Sequence, residues 1–302
     1  MPSISYKLTA QLFNHTVKSI MDGTKQGFID YVYSMAAKRG LEIPHASWRK
    51  KYNFQALELD EMTVIKLAPP DHNRTDGLIM YFSGDGLYQP PSAADFELCG
   101  DLVDDTGKAV WLVSYPLVPN AGAEEIVKSS YDVYLRALKE YAAENIIFMG
   151  LSSGCCVAMG ICFYIKENGL ETAFPSRMLL QSPPLSSPPT PGQFELMKEI
   201  EPRDVTVPAV YFQYLAAITN FKGYEYLVRP LKHDMSGFPP IDVFYGTAEM
   251  AYAFLDDLTE KCSREGVSLT PHIGKDMMRC WCLLAKTPEA KNVKKEYYRI
   301  LR

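Results

Sequence analysis

Short apolar runs and longer amphipathic stretches alternate along most of the chain. The runs Thr63–Leu67, Leu78–Phe82, Ala109–Ser114, Ile146–Met149, Met178–Gln181 and Ile241–Tyr245 have the length and content of strands, and Val267–Ile273 is a weaker one. From Leu78 onward they are almost continuously apolar, as strands buried on both faces of a parallel sheet should be. Between them lie helical patterns. In Ala123–Ala142 the residues Val127, Tyr131, Tyr134, Leu135, Leu138 and Tyr141 fall three or four apart and make one buried stripe. Gly154–Glu167 is apolar on nearly every side and predicts a central helix stopped by Asn168 and Gly169. Ala248–Glu265 ends at Gly266, and Thr287 followed by Pro288 opens a last helix to Leu301. Strands alternating with helices predict an α/β fold with a mostly parallel central sheet covered on both faces.

Two stretches break this rhythm. The segment before Glu58 is polar and mixed, with one amphipathic stretch, Phe28–Lys38. Between Pro183 and Pro230 an insertion opens PPLSSPPTPG and continues through Tyr211, Phe212, Tyr214, Phe221, Tyr224 and Tyr226. An insertion between consecutive strands reads most simply as a cap over the sheet, or else as a surface excursion with its own small core. The expected organisation is a cap segment at 1–57 and a main domain at 58–302 with a cap insertion at about 183–230.

Composition narrows the function classes. The chain has 302 residues, 47% hydrophobic and 22% charged, enough for a sizeable core and unlike a disordered chain. Lys and Arg number 31 against 36 Asp and Glu, a formal net charge of −5 without any basic run. That leaves no electrostatic footprint for nucleic acid or an anionic membrane. The longest apolar run, Cys155–Ile165, is about half the roughly 20 residues a membrane-spanning helix needs. The seven cysteines are odd in number, one pair is adjacent, and most lie in apolar runs. They read as reduced thiols in a cytoplasmic protein, not as a disulfide framework or a zinc site, and no metal or cofactor is expected.

Gly150-Leu151-Ser152-Ser153-Gly154 fits Gly-x-Ser-x-Gly, directly after the strand IIFMG and at the start of the helix GCCVAMGICFYI. In that context the glycines permit a sharp strand-to-helix turn that pushes Ser152 out at the carboxyl edge of the sheet. The helix N-terminus then supplies positive potential and free N–H groups beside it. From roughly residue 60 onward the chain resembles the hormone-sensitive-lipase-like branch of the α/β-hydrolase fold, a group of serine carboxylesterases and lipases. The resemblance is carried by ordered motifs: LIMYFSGDG at Leu78–Gly86, Tyr115-Pro116-Leu117-Val118-Pro119, the elbow at Gly150–Gly154, Asp234-Met235-Ser236-Gly237-Phe238-Pro239-Pro240, Gly246-Thr247-Ala248-Glu249 and Met277-Met278-Arg279-Cys280-Trp281.

The resemblance implies hydrolysis of carboxylic esters through an acyl-Ser152 intermediate, with Glu249 at the acid position of the triad. Ser83, Gly84, Asp85, Gly86 and Ser153 would form the oxyanion loop. The departures matter as much. Arg279 stands where the family carries its histidine. Arginine has no acceptor nitrogen and stays protonated, so it cannot take the serine proton. In a serine-protease triad, loss of the histidine costs about 10⁶ in turnover. The family's His-Gly-Gly-Gly reads Ser83-Gly84-Asp85-Gly86, and a carboxylate beside a developing oxyanion repels it.

Candidate replacement bases are His233 and His272, or His15 or His45 if the N-terminal part folds over the site as a cap; His72 also lies in that part, and a structural histidine is the bland reading of each. Cys280 reads as core and Ser153 as a small elbow residue. A buried guanidinium needs a partner, so Arg279 is expected to pair with Glu249, with Asp85 as an extension. Three functions stay open: a serine esterase of impaired activity, a non-catalytic pseudohydrolase holding a small ester or carboxylate in the retained pocket, and an interaction scaffold in which the pocket is vestigial.

Overall fold

A computed structural model describes residues 2–16, 24–37, 40–60, 62–283 and 287–302, with the backbone alone for 12–16 and 85. Eight strands form one sheet: β1 Gln55–Leu59, β2 Met62–Leu67, β3 Leu78–Phe82, β4 Ala109–Ser114, β5 Ile146–Leu151, β6 Arg177–Gln181, β7 Ile241–Gly246 and β8 Leu269–Gly274. Their spatial order is β1-β2-β4-β3-β5-β6-β7-β8. β1 and β2 run antiparallel, β2 runs antiparallel to β4, and every later pairing is parallel. The mostly parallel α/β sheet expected from the sequence is the one found.

The helices are α1 Ile4–Thr16, α2 Lys25–Ala36, α3 Ala46–Arg49, α4 Ala93–Thr106, α5 Ala123–Leu138, α6 Ser153–Glu167, α7 Pro191–Ile200, α8 Ala209–Tyr214, α9 Leu255–Glu265 and α10 Pro288–Leu301. Alternate residues of the central strands enter two cores on opposite faces. Met80, Phe82 and Phe148 join the side chains of α5 and α6 on one face, while Tyr81, Leu112 and Met149 join α4 and α10 on the other. The apolar area so removed from water is the main force holding the layers together.

Local chemistry explains the ends. Gly266 closes α9 in the left-handed conformation, and the Thr287 hydroxyl accepts the Ala290 N–H at the start of α10. Ala248–Glu265 divides into a 3₁₀ turn, Met250–Phe254, and then α9. The amphipathic stretch Phe28–Lys38 appears as α2, and Lys38 lies outside the described residues.

Four elements, β1, α1, α3 and α4, were not expected from the pattern. β1 is an edge strand with mostly exposed side chains, so it carries no apolar run. α1 buries Tyr6 and exposes Ile4 and Leu8. The signals for α4 were present but unread: Ser92 and Asp95 form a capping box, and Gly107 ends the helix. The insertion holds α7, capped by Thr190 with Pro191 at its first position, and α8.

Candidate active site

The site starts from the turn between β5 and α6. Ser152 has φ 51° and ψ −125°, a left-handed conformation that costs strain in a residue with a Cβ. Its N–H donates to Gln181 O at the end of β6 (2.8 Å), which fixes the turn to the neighbouring strand. Gly154 is required by space: a Cβ there would stand 2.2 Å from Phe82 O and 2.3 Å from Ser83 O. The loop after β3 therefore lies directly against the elbow. At Gly84 a Cβ would meet Leu151 O and the Ser152 Cβ, each at 2.9 Å.

That loop is Ser83–Gly86. The Tyr115 hydroxyl donates to Ser83 O (2.8 Å), and Leu87 N–H donates to the Ser153 hydroxyl (3.2 Å). These contacts hold the loop backbone beside the α6 N-terminus, where unpaired N–H groups collect. The side chain of Asp85 lies outside the described residues, and with it the expected extension of the ion pair.

Arg279 sits on the loop after β8 and is buried. Its Nη2 donates to Ser152 Oγ at 2.6 Å. The guanidinium carbon lies 5.3 Å from the Phe212 ring centre and 5.9 Å from that of Tyr211, both on α8 of the insertion, within cation–π range. Its Nη1 has no hydrogen-bond partner. Burial alone would lower the guanidinium pKa, but Tyr211, Cys280, Glu249 and Asp204 outweigh it and hold it above its usual value.

Glu249 follows β7 and is fully buried. Its Oε1 accepts from the Gly246 N–H (2.6 Å) and the Ser182 hydroxyl (2.9 Å), while Oε2 has no partner. No ion pair within 4 Å joins it to Arg279, so the expected Arg279–Glu249 salt bridge is not formed. The reason is local. The carboxylate is held by its own turn and by Ser182, and the guanidinium is turned onto Ser152 and the two rings. Without a close cation, burial pushes the Glu249 carboxyl up to about 8, with Arg279, the Gly246 N–H and the Ser182 hydroxyl working against it.

Sequence reasoning missed Ser182, Asp204 and Tyr6. Ser182, with φ 57°, donates to Glu249 and accepts the Cys280 N–H (3.0 Å), so one hydroxyl ties the acid to the loop of Arg279. Asp204 is buried in the insertion and accepts the Met250 N–H (2.8 Å) one residue past Glu249. Its signal was present as Asp204-Val205-Thr206, since Asp204 also accepts the Thr206 N–H and hydroxyl in a short turn.

Three of the histidines are engaged elsewhere. His233 bonds Glu167 (2.7 Å), His272 bonds Asp242 (2.9 Å) and stacks on Phe244, and His72 bonds Tyr141 (3.1 Å). His45 precedes α3, and the side chain of His15 is outside the described residues. All seven cysteines are free, and burial raises the thiols of Cys155, Cys156 and Cys280. Among the described residues no three His, Cys, Asp or Glu are grouped to hold a metal, and no helix is long and apolar enough to cross a membrane.

The elbow, the sheet order and the loop after β3 define a class. The family described as alpha/beta hydrolase fold matches residues 79–283, and the chain belongs to it. No curated protein matches the sequence. Solved structures with the same fold include EstE5 soaked with p-nitrophenyl butyrate (17% identity, TM-score 0.79, 99% of this chain and 98% of that one). They also include an esterase of the bacterial hormone-sensitive lipase family (18%, 0.78, 100% and 98%). A third is an esterase/lipase from an uncultured bacterium (16%, 0.77, 99% and 98%).

Proposed function

We propose that this chain is a hydrolase-fold binding protein that seats a small carboxylate at Arg279 and Ser152, and that it hydrolyses esters poorly or not at all. The observation that carries this reading is the 2.6 Å hydrogen bond from Arg279 Nη2 to Ser152 Oγ. A donor occupies the place from which a base would have to withdraw the serine proton. Arginine cannot reverse that role. The buried, unpartnered Nη1 supports a ligand that brings its own acceptor oxygens. A carboxylate fits, because guanidinium and carboxylate match in charge and in bidentate geometry. The proposed cap is residues 1–57 with the 183–230 insertion, over a domain at 58–302. Phe28 on α2 packing edge-on against Tyr211 on α8 supports it. The unpaired cysteines support a cytoplasmic setting.

A second reading, slow ester hydrolysis, is favoured by the strained backbone that Ser152 retains. There Ser152 would attack the acyl carbon, and the N–H groups of Gly84, Asp85 or Ser153 would hold the oxyanion. One experiment separates the two. The chain is titrated with butyrate by calorimetry and incubated with p-nitrophenyl esters and a fluorophosphonate probe. Butyrate binding that Arg279→Met weakens, without Ser152 labelling, is expected. Turnover or labelling lost in Ser152→Ala would overturn the binding-protein reading.

A further inference from the structure

The loop that carries Arg279 is pinned at both ends by the sheet. Asp276 N–H donates to the Thr247 hydroxyl (2.9 Å), and Met277 O accepts the Ala248 N–H (3.0 Å). Cys280 N–H donates to Ser182 Oγ (3.0 Å). Asp276 and Cys280 both have positive φ, 60° and 49°, so the loop turns sharply at each end. On the same peptide as Met277 O, the Met278 N–H is buried, and its partner comes from far away in the chain. It donates to the Tyr6 hydroxyl oxygen at 2.5 Å, while that hydroxyl donates to Asp276 O at 3.4 Å.

Among the described side chains of α1, Tyr6 is the buried one. It is 4% exposed, whereas its neighbours Ile4 and Leu8 are 78% and 58% exposed. α1 is anchored just before it by Ser3, whose N–H and hydroxyl donate to Glu289 on α10 (2.6 and 2.9 Å). Burial pushes the Tyr6 phenol up, which keeps it a neutral hydroxyl able to donate and accept at once.

The geometry points to Tyr6 as a positioning residue for Arg279: by holding the Met278 peptide it sets where the guanidinium meets Ser152. The Met278 N–H belongs to the Met277–Met278 peptide, one residue before Arg279, so rotation of that peptide changes the direction of the chain into Arg279 and displaces the guanidinium. At 2.6 Å the contact with Ser152 is short, and a displacement of about 1 Å would take it out of hydrogen-bond range. A helix outside the sheet thereby controls the charge at the centre of the site. The inference rests on Arg279 and Ser152 forming one site, and its test does not depend on which ligand that site takes.

The test uses the full chain with Ser152→Cys, with and without Tyr6→Phe. A guanidinium beside a thiol lowers its pKa from the ordinary value of about 8.5. Alkylation by iodoacetamide, followed against pH by site-resolved mass spectrometry, should give a midpoint for the new thiol that Arg279 holds below where burial alone would set it. Tyr6→Phe should raise that midpoint by about one unit, which is about tenfold less thiolate on the acidic limb. A purely structural role of the phenol would lower the melting temperature and leave the midpoint in place, and that result overturns the proposal.

Hydrogen exchange keeps the test decisive if the thiol is too enclosed to react. Met278 N–H should be protected in the unmodified chain and exchange at least tenfold faster in Tyr6→Phe, with the central strands unchanged. An unprotected Met278 N–H in the unmodified chain also overturns the proposal. A chain that binds no butyrate would overturn the carboxylate reading and leave both of these measurements standing.

Discussion

Arg279 Nη2 and Ser152 Oγ meet at 2.6 Å, with the guanidinium as donor. This contact inverts the chemistry of a hydrolase elbow. Where an acceptor nitrogen would draw a proton off the hydroxyl, a permanent cation donates a hydrogen bond to its oxygen and can take no proton from it. The same contact explains why Arg279 tolerates burial without a salt bridge: it spends one N–H on the hydroxyl and lays its plane near two aromatic rings.

Restoring an acceptor should therefore restore chemistry. Arg279→His is expected to raise Ser152-dependent hydrolysis of p-nitrophenyl butyrate by about 10²–10⁴-fold, the range a positioned general base supplies. Combining it with Asp85→Gly should raise it further, because a carboxylate on the oxyanion loop opposes the developing charge. Initial rates of both variants, each repeated with Ser152→Ala, check this. No gain in either variant would mean that more than the base is missing.

Arg279→Met should weaken butyrate binding about 10- to 100-fold, as expected for a hydrogen bond to a charged group worth about 1.5–3 kcal/mol. Arg279→Lys should recover only part of this, since lysine offers a point charge without the planar fork. Calorimetric titration of the three chains under one buffer gives the ranking. Equal affinities would place any carboxylate elsewhere.

Glu249 makes stability depend on pH with a definite sign. Its carboxyl is raised by burial from 4.5 to about 8 in the folded chain. The folded state therefore holds a proton that the unfolded state has released. The contribution of this carboxyl to stability is full below about 4.5 and is lost as pH rises from there toward 8, by an amount on the order of a few kcal/mol. Glu249→Gln keeps the shape and removes the titration. Urea midpoints measured from pH 5 to 9 should fall less steeply in this variant than in the parent. Parallel curves would show that the carboxyl titrates normally.

Much of this was legible in the sequence. The central strands announced themselves because they are buried on both faces, and the elbow because Gly150, Ser152 and Gly154 stand between a strand and a helix. β1 was not legible, since an exposed edge strand carries no apolar run. At the site, the sequence pointed to Arg279 and Glu249 but misjudged their relation. Pairing them assumed that opposite charges close any gap. It overlooked Ser182 and the Gly246 N–H, which satisfy Glu249 Oε1 first. Tyr6 lies 272 residues from the amide it holds, a distance no local pattern spans.

The elbow itself can be tested apart from its chemistry. In Gly154→Ala the new Cβ would lie 2.2 Å from Phe82 O and 2.3 Å from Ser83 O, both backbone atoms of the β3 end. Neither can swing aside, so the loop after β3 must shift off the elbow, at about 1–3 kcal/mol or more. Gly192→Ala in the first turn of α7 meets nothing within 4 Å. That change should be neutral or stabilise by about 0.5–1 kcal/mol through helix propensity. Urea unfolding of the two variants side by side separates a steric requirement from a general cost of replacing glycine. A Gly154→Ala midpoint equal to that of the parent would mean that the β3 loop is not seated on the elbow, and the oxyanion geometry built on that contact would fall with it.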